Sequence, residues 1–279
     1  MKKLIFIIAI VLLFSSCTST DVFEEEITKE VWEQEEIFVP ASLNPNGYGN
    51  LSNKMIGWGL KKNPNAPPEI PSSITSLLEK YDSYYIGKNE KVLYLTFDEG
   101  YENGYTAKIL DVLKEKEVPA AFFITAPYLK TEKELVRRMV DEGHIVGNHT
   151  VHHPCLVEVM STDEISKELS GLDESFFSEF GKRMKFFRAP KGEFSERTLA
   201  ITNDLGYTNV FWSFAYRDWE VNNQKGTDYA YSEIMKGVHN GCILLLHAVS
   251  KDNAEVLGRV IDDLKARGYT FLSLENLGS

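Results

Sequence analysis

Short apolar runs alternate along this chain with longer stretches of helical periodicity, and a polar residue capable of chemistry stands at the end of run after run. Asp98 and Glu99 follow KVLYLTF, Asn148 and His149 follow HIVG, Arg188 follows MKFF, and His247 follows CILLL. The runs predict strands at Val92–Phe97, Ala120–Thr125, Ile145–Asn148, Lys185–Phe187, Asn209–Trp212, Cys242–Leu246 and Thr270–Leu274. Most are nearly continuous in apolar residues, the pattern of parallel strands covered on both faces. A further helix is predicted from Ser72 to about Tyr81, with Ile74, Leu77 and Leu78 on one face. Thr131-Glu132-Lys133-Glu134 and Ser161-Thr162-Asp163-Glu164 both read as capping boxes, and Gly143, Gly206 and Gly268 fall where helices should stop.

Alternating strands and helices build a parallel sheet, and the loops that follow its strands gather at one face. The string predicts an α/β fold, which a barrel and an open doubly wound sheet both satisfy. The barrel is favoured because the polar residues are spread over many strands, whereas an open sheet concentrates them at one switch point. Residues nearly 150 positions apart, Asp98 and His247, can then share one pocket.

The N-terminus has a different pattern. Met1-Lys2-Lys3 is basic, and Leu4 to Phe14 is an apolar run of about 11 residues, suited to a signal-peptide core. Spanning a bilayer takes about 20. The run ends in Phe14-Ser15-Ser16-Cys17, which resembles a bacterial lipoprotein signal with Phe14 where Leu is usual; an ordinary secretory signal cut nearby is the alternative. Either way the chain is expected to be exported, with a lipid on Cys17 holding it to a membrane in the first case. The expected organisation is a signal at 1–17, an acidic tether and irregular segment at 18–50, an extension packed on the barrel at 51–90, and the main domain at 91–279. Cys155 and Cys242 read as separate core thiols rather than a disulfide. A net charge of −11 over 279 residues argues against nucleic acid as a partner, and no glycine-rich phosphate loop appears. A monomer is expected.

Each candidate site residue has a plain structural reading beside the chemical one. His149 and His153 would share one face of a helical turn and reach one cation, with His152 pointing elsewhere; a surface histidine cluster has the same spacing. Asp98 and Glu99 would serve a divalent site as ligand or base, or else cap the next helix. Arg188 needs a carboxylate partner, in a site or at the barrel rim. His247 is a further candidate for the same site or a core histidine, and Asp218-Trp219 lines a sugar site or packs the rim. His144 and His239, near helix ends, read as structural.

Taken together, Thr96-Phe97-Asp98-Glu99-Gly100-Tyr101-Glu102-Asn103, His149 to Pro154, Arg188-Ala189-Pro190-Lys191-Gly192, Trp212 to Trp219 and Leu245-Leu246-His247 resemble the polysaccharide deacetylase (NodB-homology, carbohydrate esterase 4) family, from about Met55 onward. The likeness is greatest to the peptidoglycan N-acetylmuramic acid deacetylases that act in making muramic δ-lactam of spore cortex. The resemblance implies a distorted (β/α)7 barrel. It implies Asp98 as catalytic base, His149 and His153 as the metal pair, Arg188 positioning Asp98, and Asp218 orienting the acid His247. It places Tyr101, Asn103, Pro190, Gly192, Trp219 and Leu245 against substrate, and it implies a divalent cofactor, zinc first, with cobalt or manganese as alternatives. The partner implied is a peptidoglycan glycan strand.

Glu99 departs from the family pattern, which has Asp there as third metal ligand, or Asn in the muramic type. The longer arm either ligates from a shifted backbone or turns away. Ala248 stands where many relatives have Asp. An N-acetylglucosamine deacetylase and a non-catalytic wall-binding protein are the competing expectations.

Overall fold

The computed structural model describes residues 47–278 apart from 62 and 160. The expected signal at 1–17 and most of the tether lie outside the described residues. Strands in chain order are β1 (Ile56–Gly57), β2 (Ser83–Tyr84), β3 (Val92–Glu99), β4 (Ala120–Ile124), β5 (Ile145–Asn148), β6 (Phe186–Phe187), β7 (Glu193–Phe194), β8 (Thr208–Val210), β9 (Phe214–Ala215), β10 (Cys242–Leu246) and β11 (Thr270–Phe271). Helices are α1 (Ser72–Lys80), α2 (Thr106–Lys116), α3 (Ala126–Thr131), α4 (Lys133–Asp141), α5 (Thr162–Phe180), α6 (Glu196–Asp204), α7 (Thr227–Gly237) and α8 (Lys251–Ala266).

The main sheet runs β2-β8-β6-β5-β4-β3-β10-β9, all parallel, with β11 alongside the start of β3. It curls until its far parts meet. Ile86, just after β2, forms an antiparallel bridge with Cys242 at the start of β10. Between β8 and β9, Phe211 N–H donates to the Tyr84 carbonyl and Ser213 N–H to that of Ile243. The result is the expected α/β barrel, strongly distorted. The expected boundary at 91 separates β2 from the sheet it belongs to; with only two paired residues, β2 has too little apolar pattern to show in sequence.

Alternation along β3 sets up the site. Leu93, Leu95 and Phe97 pack outward in the large core beneath the helices, while Tyr94 joins Ala121, Phe123, Phe186, Val210, Ile243 and Leu274 in a smaller core inside the barrel. Thr96 and Asp98 share the inward side with Tyr94, and Glu99 falls on the outward side. Outside, α8 packs against both α2 and α7.

Ser161 caps α5 in a full capping box with Glu164, and Gly143, Gly206 and Gly268 all have positive φ at helix ends. Thr131 caps nothing: its hydroxyl donates to the Pro127 carbonyl at the end of α3, and α4 begins at Lys133 with no side-chain cap. A Ser195–Thr198 capping box on α6 carries threonine in place of the usual acid, so the motif did not announce it. Cys155 and Cys242 are free and buried.

Candidate active site

Strand ends β3, β5, β6 and β10 deliver Asp98, His149, Arg188 and His247 to one rim, around a cavity of about 720 Å³. Arg188 lies beside that space, fully buried, and reaches back to the strands. Its Nη1 donates to Asp98 Oδ1 at 2.8 Å and to Thr96 Oγ1 at 2.9 Å, and its Nε donates to the Val210 carbonyl at 2.9 Å. The guanidinium carbon sits 4.2 Å from the centre of the Phe123 ring. Burial pushes the Asp98 carboxyl up, but Arg188, with His149 and His247, holds it below the usual carboxylate range. Asp98 is therefore ionised, with Oδ1 committed to arginine and Oδ2 turned to His149 Nε2 at 3.7 Å.

The two histidines meet as expected, but not on a helical turn. Residues 149–153 form a loop in which Thr150 and His153 have φ of 71° and 58°. Asn148 Oδ1 accepts from Thr150 N–H and Thr150 Oγ1 from His153 N–H, which folds the loop back on itself. His149 Nε2 and His153 Nε2 then face one another at 3.1 Å. His149 Nδ1 faces the Arg188 carbonyl at 2.8 Å, so the proton sits on Nδ1 and the Nε2 lone pair points at His153. Burial pushes His149 down to about 4 and lowers His153 as well, so both rings are neutral at pH 7.

Two neutral imidazole nitrogens so close, with an ionised carboxylate beside them, suit a divalent cation between them. The residues present fit such an ion as a two-nitrogen site. Among the described residues, no cluster of three or more His, Cys, Asp or Glu side chains is arranged to hold a metal. Glu99 is set apart from the two rings by its surroundings. Its carboxylate is fully buried with no hydrogen-bond partner, and the charges that act on it are those of Glu102 and Asp98. The Tyr128 hydroxyl of α3 feels it in turn. By the alternation along β3 Glu99 falls on the side opposite Asp98, and its carboxylate makes no hydrogen bond to either histidine.

On the opposite wall, Asp218 Oδ1 lies 2.7 Å from His247 Nδ1, leaving Nε2 free to face the cavity. Burial alone would lower the His247 pKa; the Asp218 charge and hydrogen bond outweigh it and raise the pKa above the ordinary value. Trp219 is half exposed and packs edge-on against the His247 ring at 5.4 Å.

Tyr101, Gly192, Trp219 and Leu245 line the cavity, but Asn103 and Pro190 do not. Asn103 donates to the Val249 carbonyl, tying the loop after β3 to the loop that carries His247. Pro190 is buried behind the wall. Gly192, at φ 67°, leaves room for Trp212 and Trp58, which a Cβ there would strike. His152 borders the cavity and pairs with Glu168, while the buried His144 accepts from Ala120 N–H and the buried His239 meets Ser213 Oγ. Sequence reading missed Asn253, whose Nδ2 donates to Asp218 Oδ2 at 2.6 Å. It lies 35 residues from its partner, in a helix without local signal.

Residues 86–210 match the polysaccharide deacetylase family model. The chain is 50% identical over 230 residues to the peptidoglycan-N-acetylmuramic acid deacetylase PdaA of Bacillus subtilis (strain 168), covering 81% of this chain and 87% of that protein. The structure of B. subtilis PdaA, a family 4 carbohydrate esterase, superposes with a TM-score of 0.79 at 49% identity, covering 81% of this chain and 98% of the other. A family 4 carbohydrate esterase from Bacillus anthracis superposes with a TM-score of 0.69 at 46% identity, covering 81% and 97%. A peptidoglycan-N-acetylglucosamine deacetylase of Bacillus cereus is 31% identical over 203 residues, covering 71% of this chain and 92% of its own. With likeness of this extent carried over the strands that hold Asp98, His149, Arg188 and His247, this chain belongs to the polysaccharide deacetylase family of carbohydrate esterases.

Proposed function

We propose that this deacetylase removes the acetyl group from N-acetylmuramic acid in peptidoglycan, on residues already stripped of their stem peptide, as a step towards muramic δ-lactam in spore cortex. The enzyme would work outside the cytoplasm, tethered through a lipid on Cys17, as a monomer facing the wall. The observation that carries the substrate is the 50% identity to a muramic acid deacetylase across 81% of the chain, against 31% for a glucosamine deacetylase.

His149 and His153 would hold the divalent ion, zinc before cobalt or manganese; when bound, it polarises the acetyl carbonyl and makes the attacking water more acidic. The protein's own groups do the rest. Asp98 Oδ2, left free while Arg188 occupies Oδ1, accepts the proton of the water as its oxygen bonds to the acetyl carbon. His247, whose hold on its proton Asp218 strengthens, gives a proton from Nε2 to the departing nitrogen, so the C–N bond breaks to acetate and free amine. Trp219 and Tyr101, both exposed on the rim, offer faces to the sugar rings, and Leu245 offers an apolar contact to the acetyl methyl.

Among the described residues no helix is long and apolar enough to cross a membrane. The test is acetate release from purified muramic glycan, with and without stem peptide, compared with N-acetylglucosamine oligomers. Muropeptide mass spectrometry of cells with and without the protein tests the lactam step. Faster release from N-acetylglucosamine oligomers than from stripped muramic glycan would transfer the assignment to the glucosamine reaction.

A further inference from the structure

Beside His149, His152, His153 and His247, the cavity is lined by two charged side chains, Asp98 and Lys191. Asp98 is neutralised by Arg188 at 2.8 Å. Lys191 is exposed and pairs with no acidic side chain among the described residues. Its position is costly to hold. At φ 57° it occupies the left-handed region, where a side-chain-bearing residue is disfavoured, inside the short turn Pro190–Gly192. That turn is braced from behind: Gly192 N–H donates to the Ala189 carbonyl, and the Gly192 carbonyl accepts from Trp58 N–H. The ammonium is thus carried on a rigid loop at the cavity wall, and its charge reaches the His153 ring.

An unpaired cation at the lip of an acidic protein is informative. With a net charge of −11, the molecule as a whole repels an anionic glycan, so an anion entering this cavity needs a local counter-charge. A muramic residue differs from glucosamine by a lactyl ether on O3, next to the N-acetyl group on C2. Without stem peptide that lactyl group ends in a carboxylate; with it, in a neutral amide.

We propose that Lys191 is a carboxylate subsite, which binds the free lactyl group of the sugar being deacetylated and so selects stripped muramic residues over amidated muramic and glucosamine residues. The inference rests on the muramic substrate proposed above and names the residue that recognises it. Lysine suits the task as a flexible point charge, able to follow a lactyl arm whose orientation varies.

The test compares two forms of one muramic glycan, stem peptide removed: lactyl carboxyl free, or converted to the methylamide. Acetate release gives kcat/KM for each, with an N-acetylglucosamine oligomer as a third substrate and thermal melting as a check on folding. The wild-type enzyme is expected to prefer the free carboxyl by about tenfold, the yield of one partly desolvated charge-assisted contact. Lys191→Gln is expected to erase that preference, mainly through KM, while Lys191→Arg keeps most of it and raised salt weakens it. A preference that survives in Lys191→Gln, or is missing from a wild type that deacetylates both muramic forms, overturns the subsite and leaves the muramic substrate standing. A wild type active on the glucosamine oligomer but on neither muramic form overturns the substrate, and the subsite with it.

Discussion

Asp218 grips His247 at two points, with Oδ1 2.7 Å from the ring Nδ1 and Oδ2 accepting the His247 backbone N–H at 2.9 Å. The same Oδ2 accepts from Asn253 at 2.6 Å, and the Tyr216 hydroxyl donates to Asn253 in turn. The carboxylate is saturated and buried, so the imidazole it holds is fixed both in rotamer and in tautomer.

Asp218→Asn is expected to lower kcat by about a hundredfold, the scale of a general acid that has lost its correct protonation state. The direction in pH follows from the His247 shift. Asp218 raises the His247 pKa, so the protonated acid persists to higher pH and the alkaline limb of the kcat profile lies above that of an ordinary histidine. Without the carboxylate charge, burial prevails and the limb moves to lower pH. In stability terms, the pair contributes fully below the unfolded histidine pKa and is lost as pH rises through the folded one. Kinetics against pH, with NMR titration of the His247 ring, check both; an unmoved alkaline limb would count against His247 as the acid.

Arg188→Met leaves the Asp98 carboxylate without its main counter-charge in a cavity wall and removes donors from the Val210 and Thr96 oxygens. Loss of about 3 to 5 kcal/mol of folding stability is expected, as for other buried pairs deprived of one partner. Asp98 has its pKa depressed, so its contribution is present above the unfolded carboxylate pKa and disappears as pH falls through the folded value. The destabilisation by Arg188→Met should therefore be greatest at neutral pH and shrink towards acid, as denaturant titrations at several pH values will show.

Much of the site could be read from residue order because strand ends in a parallel barrel converge, so Asp98, His149, Arg188 and His247 needed only their strands to be recognised. β5 and β10 were predicted to the residue; β2, β9 and the β1–β7 pair, each with two-residue strands, lie below what periodicity resolves. The His149–His153 contact came out right on the wrong local geometry, since spacing does not reveal positive φ at Thr150 and His153. Glu99 and Asp98 are neighbours in sequence and opposite in space, a difference that alternation along β3 decides but that the motif alone conceals. Asn253 reaches the Asp218–His247 pair only through tertiary contact.

Glu99→Gln tests that orientation. Burial, and then the Glu102 and Asp98 charges, push the Glu99 carboxyl well above its usual range. A raised acid pKa means that the wild type loses stability as pH climbs above the unfolded value of about 4.3, until the folded value is passed. A neutral amide does not incur that loss. Glu99→Gln should thus match the wild type at low pH and be the more stable protein at pH 7 and above, with unchanged affinity for zinc. A drop in zinc affinity would mean that the carboxylate swings inward to ligate.

His149→Ala and His153→Ala should each lower the affinity for zinc by at least a hundredfold, roughly the upper cost of losing even an outer partner of a metal ligand. Metal binding competes with protons for the two Nε2 lone pairs, and burial weakens the protons' hold, to about 4 at His149. Zinc uptake by the wild type is therefore expected to persist at pH 5.5, where an ordinary histidine is mostly charged. Equilibrium dialysis across this pH range measures it directly. Uptake that falls with a midpoint near 6.5, or that survives loss of His153, would show that the ion sits elsewhere than between these two rings.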